Sequence, residues 1–148
     1  MTPFAHVIYC DDIRQELGGK QTLVGVYSGT LQVQSFPVIL PKLCLALQLL
    51  LPAEGLPKDL KIEVLQGDAV IAEGEFPMDD LQAAVAALEP GKGIAPPEGE
   101  RPRPMLGVQF IFSPIRLEGP GTIRPRVRMG EQEIVANGLR IARVADNA

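Results

Sequence analysis

Arg124, Arg126 and Arg128 are the residues in this chain most capable of specific chemistry. Read as one strand, Ile123 to Met129 sends the three arginines to one face and Ile123, Pro125, Val127 and Met129 to the core, because successive side chains of a strand alternate sides. The guanidiniums then repeat about every 6.6 Å. A planar guanidinium grips a carboxylate or a phosphate through two parallel hydrogen bonds, so the stripe could bind a small anion, a nucleotide or an acidic protein surface. Arg101 and Arg103, in a proline-rich stretch just upstream, complete this candidate ligand-binding set as a flexible lid. The simpler reading is a ladder with acidic side chains on a neighbouring strand, with Glu131 and Glu133 across a turn at Gly130 as the partners. Pro125 suggests an edge strand, since proline has no N–H to give to a second neighbour.

The other reactive side chains do not assemble into a local site. His6 is the only histidine, and it shares a strand face with Cys10 and Asp12. Four residues of extended strand separate His6 from Cys10 by about 13 Å, too far for both to ligate one zinc at bonds of about 2.0–2.3 Å. Cys10 and Cys44 read as small buried residues rather than reactive thiols. Asp11 and Asp12 point to opposite faces of a strand, and Asp79 and Asp80 stand where a helix cap and the helix dipole account for them. No nucleophile elbow, Walker loop or dinucleotide-binding glycine pattern is present. Pro90-Gly91-Lys92-Gly93 lacks the hydroxyl residue and the upstream glycine of a phosphate loop. No metal, cofactor or catalytic residue is therefore expected, although paired carboxylates brought together by the fold would escape a sequence reading.

Short period-two segments bounded by turn residues must position these groups, the pattern of an antiparallel all-β domain. Gly18-Gly19 turns a first strand, Phe4 to Ile13, into a second over Gln21 to Tyr27. A third strand runs from Thr30 to Gln34, and Pro37 and Pro41 bracket a loop. Leu43 to Leu51 puts five leucines on one face and Cys44, Ala46, Gln48 and Leu50 on the other, as a central strand does. Leu60 to Val64 and Val70 to Phe76 form a hairpin around Gln66-Gly67-Asp68. Strands resume at Leu106, and Asn137-Gly138 signals a hairpin before Leu139 to Val144. One amphipathic helix fits 79–89, with Leu81, Ala84, Val85 and Leu88 on one face, as a crossover at the end of the sandwich. Residues 90–104 hold five of the 14 prolines and read as a long surface loop. The expectation is one domain over 1–148, an immunoglobulin-like two-sheet antiparallel β-sandwich of about 8–9 strands.

Composition bounds the function. At 148 residues with 46% hydrophobic and 22% charged residues, the chain can build a core without staples. Its most apolar run, Leu43 to Leu51, is about half the roughly 20 residues of a membrane helix. The start has no cationic region and carries Asp11-Asp12, and two cysteines are too few for a disulfide scaffold, so a cytoplasmic protein is expected. Residues 1–100 hold 6 Lys/Arg against 14 Asp/Glu, and residues 101–148 hold 8 Arg against 4 acids, giving −8 and +4 and the total of −4. Two halves of opposite sign can pair with each other on folding. An isoelectric point near 5.0 argues against generic nucleic-acid binding.

His6 to Glu16, Gly19 to Tyr27, Phe36-Pro37 and Leu40 to Leu43 together resemble a family of small uncharacterised proteins of bacteria and their phages. The resemblance lies mainly over residues 6–43. It implies a small β-rich domain of unknown function and brings no catalytic residues. The sequence thus predicts a non-catalytic interaction or structural module with a protein partner or self-association, the alternative being a small-anion or nucleotide binder that uses the arginine stripe. A surface formed by Tyr9, Tyr27, Cys44 or Leu50 would serve as a homo-oligomeric interface.

Overall fold

The computed structural model describes residues 3–51, 57, 59–76, 79, 82 and 105–145. Within them the chain runs through β1 (Phe4–Gln15), β2 (Gln21–Val26), β3 (Thr30–Val33), β4 (Val38–Leu40), β5 (Leu43–Leu50) and β6 (Leu60–Gln66). It continues through β7 (Ala69–Phe76), β8 (Met105–Phe112), β9 (Ile115–Leu117), β10 (Gly121–Met129), β11 (Gln132–Val135) and β12 (Leu139–Arg143). The all-β expectation holds. The count of 8–9 strands and the two sheets do not: the described residues form twelve strands in three sheets, of four, six and two strands. Part of the excess is β4, which occupies the stretch that Pro37 and Pro41 predict to be a loop, and which pairs with the equally short β9. Of the helix expected at 79–89, only Asp79 and Gln82 are described, both with helical backbone. Its remainder and the loop at 90–104, with Arg101 and Arg103, lie outside the described residues.

The first sheet has the order β2-β1-β5-β8, all antiparallel. Two left-handed glycines, Gly18 and Gly19, make the β1–β2 turn. β5 is central, as its apolar character on both faces predicts, and Leu43, Leu45, Leu47 and Leu49 are all within 1% of full burial. Burying one such leucine stabilises the fold by about 1.5–3 kcal/mol. The second sheet has the order β3-β12-β10-β6-β7, with β11 beside β10, and its β3–β12 pair is parallel. Ile62, Val64, Ile123, Val127, Leu139 and Ile141 line its inner face and join the leucines of β5 in one core.

Two local expectations fail for identifiable reasons. β10 is not an edge strand. β6 pairs along one side of it from Ile123 to Met129, and the other side is shared by β12 (Gly121–Ile123) and β11 (Arg126–Met129). Pro125 sits where that side changes partner. Its carbonyl accepts from Ala136 N (3.1 Å) on that side, and N and C=O of one strand residue point the same way, so the missing N–H falls in the gap between two ladders. Asn137-Gly138 is not a hairpin turn either: β11 and β12 both pair with β10, and Gly138 has no positive φ. A Cβ on Gly138 would stand 2.6 Å from Thr122 Cγ2 and 3.0 Å from Arg124 Nη2. The glycine is needed for close approach.

Candidate functional site

The arginines occupy the outer face of the six-stranded sheet, with Arg124 and Arg128 exposed and Arg126 half-buried between buried Ile123, Pro125, Val127 and Met129. Two of the three are in ion pairs. Arg126 lies directly across from Glu63 of β6 and donates to its Oε2 at 3.2 Å. Arg128 reaches Glu63 Oε1 at 3.5 Å and Glu133 Oε2, across on β11, at 3.9 Å. Glu63 is the one charged side chain that is buried among the described residues. A basic strand of the second half thus meets an acidic one of the first, the pairing that the opposite charges of the halves foretell. Glu133 acts as the ladder reading expects, while Glu131 lies in the turn. Arg124 makes no ion pair within the described residues and lies along Gly138.

The aspartates of β1 part company. Asp12 Oδ1 accepts from Lys42 Nζ at 2.6 Å, which holds the Asp12 carboxyl below its usual range and raises Lys42 in return. Asp11 turns the other way and accepts from the Tyr27 hydroxyl at 2.6 Å. It lies over Gly25, whose positive φ and lack of Cβ make room for the carboxylate. Among the described residues no three His, Cys, Asp or Glu side chains come together as a metal site would need.

Tyr9 is buried rather than outward-facing, and ties the two sheets together. Its hydroxyl stands 2.7 Å from Asn137 O and 3.0 Å from Ile123 O. Burial pushes the Tyr9 hydroxyl far above its ordinary value, against a smaller opposing pull from Arg124. Burial, then the bond to Asp11, pushes Tyr27 up to about 12. In the unfolded chain both would ionise near pH 10, so above that pH the folded protein holds more protons and stability falls as pH rises. Absorbance titration of the native protein is expected to show no tyrosinate midpoint at about 10, and to recover one there in denaturant. A native midpoint near 10 would contradict these two environments.

The outer face of the four-stranded sheet is of another kind. β1 contributes Phe4, His6 and Ile8 to it, with His6 stacked on Phe4 (centroids 6.5 Å apart), and β5 contributes Ala46, Gln48 and Leu50. From Phe4 to Cys10, and across β5 and β8, this face carries no Asp, Glu, Lys or Arg. Nine large apolar residues are exposed among the described residues, and Phe4, Val24, Val26, Met105 and Ile111 stand here. The expected apolar surface exists, but other residues make it: Tyr9 points inward, Cys44 is fully buried and Leu50 is only half-exposed. The apolar even-numbered residues of β5 are the trace of it in the sequence. Its members on β1, β2 and β8 become neighbours only through pairing across the chain.

A model of a family of unknown function (DUF6941) matches residues 6–142. The chain belongs to that family. Neither a curated protein nor a solved structure matches it.

Proposed function

We propose that the protein is a non-catalytic, immunoglobulin-like interaction module that associates with a second copy of itself through the outer face of the four-stranded sheet. The observation that carries this reading is the concentration of exposed large apolar side chains on one face, which is without formal charge from Phe4 to Cys10 and across β5 and β8 and has the Asp12–Lys42 ion pair at its margin beside Val24. Exposed apolar side chains gathered on one face mark contact sites, and here the Phe4–Leu50–Met105 row and the Val26 and Ile111 ends of a second row flank the uncharged His6, Gln48 and Gln109. The three strands β1, β5 and β8, about 4.8 Å apart and paired over about eight residues, present on the order of 400 Å² in plan, and β2 adds the corner at Val26. Two copies would then bury about 800 Å² together, the size of a weak, concentration-dependent contact. The stretch from Phe4 to Cys10 and across β5 and β8 has no charge with which to select a partner of opposite sign, whereas a two-fold axis sets the same apolar patch of two copies against each other. The anion-binding alternative is weaker, because Glu63 and Glu133 already engage Arg126 and Arg128. A bacterial or phage setting and a reducing cytoplasm, which suits two cysteines in 148 residues, belong to the same proposal.

Ile111→Glu tests the interface. Ile111 is 53% exposed on this face, and Ile39, 59% exposed on β4, is the matched control elsewhere. Ile111→Glu is expected to halve the solution mass, and Ile39→Glu to leave it unchanged. An unaltered assembly in Ile111→Glu would refute the interface.

A further inference from the structure

Val26, Cys10, Cys44 and Ile111 form one row across the four strands of the first sheet, each residue directly opposite the next. The outer two are exposed and the inner two are fully buried thiols. These are the only two cysteines in the chain, and the fold sets them against each other. We infer that Cys10 and Cys44 are a disulfide-forming pair, oxidised by a small-molecule disulfide such as glutathione disulfide and reopened by thiols. The inference is independent of the association proposed above.

The backbone fixes the spacing. Val7 N and O both face Asn137, away from β5, and Tyr9 O faces β2, where it accepts from Tyr27 N. Polar groups alternate sides along a strand, so the even residues of β1 face β5 and Cys10–Cys44 is a hydrogen-bonded antiparallel pair. Such pairs hold their Cα atoms about 5.5 Å apart, inside the range of roughly 4.4–6.8 Å that a disulfide spans. In a hydrogen-bonded pair the opposed Cβ atoms lie toward the wide end of about 4.5–5.5 Å, against about 3.8 Å in a relaxed disulfide. Closing the bond therefore draws β1 and β5 together and stores strain, the property of an easily reduced disulfide rather than a permanent staple.

The exchange balances in two steps. One protein thiolate attacks glutathione disulfide and releases one glutathione thiolate, leaving a mixed disulfide. The second protein thiolate attacks the protein sulfur of that mixed disulfide and releases the other glutathione. The two protons lost from the cysteines are taken up by the two glutathione thiolates, which carry away the two electrons as well. Burial raises both thiols above their ordinary value, and each lies near a backbone carbonyl, Cys10 Sγ at 3.5 Å from Asp12 O and Cys44 Sγ at 3.7 Å from Asp11 O. The first attack thus waits on local opening, and β2, an edge strand with the positive-φ Gly25 beside Val26, is where it is expected.

The test is incubation of the intact native protein with excess glutathione disulfide, followed by acid quenching, alkylation in denaturant and intact-mass measurement. The expected product is a monomer lighter by two hydrogens with no alkylatable thiol, restored to two thiols by dithiothreitol. Cys10→Ser and Cys44→Ser proteins, treated alike, are expected to stop at the mixed disulfide or stay reduced. Two alkylatable thiols after prolonged oxidation would overturn the inference. So would a doubly glutathionylated chain, or cross-linked chains without the internal bond.

Discussion

Replacing Asn137 with alanine is expected to cost about 2–4 kcal/mol of folding stability, because two buried backbone groups lose their partners at once. β2 covers β1 only from Cys10 onward, so the N-terminal part of β1 has a free side. Asn137 closes it: its Oδ1 accepts from Val7 N and its Nδ2 donates to Val7 O, both at 2.9 Å. One amide thus imitates a strand neighbour, and it does so from the second sheet. Its own carbonyl receives the Tyr9 hydroxyl, so the same residue joins the sheets twice. Without the side chain, Val7 would present an open edge, which favours pairing with other chains. Asn137→Asp keeps the acceptor but puts a carboxylate against Val7 O, so it should not rescue stability. Chemical denaturation is expected to show a lowered midpoint for both variants, with heat unfolding lowered by on the order of 5–10 °C for Asn137→Ala. A loss below about 0.5 kcal/mol, the scatter of ordinary surface substitutions, would show that the bridge contributes little.

Glu63→Ala is expected to be the second costly change, at about 2–3 kcal/mol, through an arginine left largely buried without its counter-charge. The Glu63 side chain is 7% exposed and that of Arg126 24%. The pair is imperfect. Glu63 Oε1 and Arg126 Nε are both buried without a hydrogen-bond partner in the described structure, and Arg128 stands 3.5 Å from that oxygen without completing a bond. An imperfectly satisfied buried pair gives back little of its desolvation cost. The double variant Glu63→Met, Arg126→Met is therefore expected to recover most of the loss seen with Glu63→Ala alone. If the double variant is instead as unstable as the single one, the pair is a net source of stability and its unsatisfied atoms are unimportant.

The strands themselves were legible in the sequence because their signals are local. Alternation at Leu43 to Leu51, the Gly18-Gly19 turn and the Gln66-Gly67-Asp68 hairpin each lie within a few residues of what they determine. Pairings over long separations left no such mark. Nothing in Leu60-Lys61-Ile62-Glu63-Val64 says that Glu63 will meet Arg126, 63 residues away, and nothing near Cys10 names Cys44 as its neighbour. Asn137-Gly138 shows a local signal overridden: its side chain satisfies a distant strand edge, and the glycine serves close packing against Thr122 and Arg124 instead of a turn. The apolar face was half-legible, through the even-numbered residues of β5, but the residues that fill it come from four strands.

Sedimentation equilibrium of the reduced, unmodified protein across the widest accessible concentration range bears most directly on self-association through that face. A mass rising from one chain to two, with the rise lost in Ile111→Glu, is the predicted result. A single-chain mass at every concentration would contradict it.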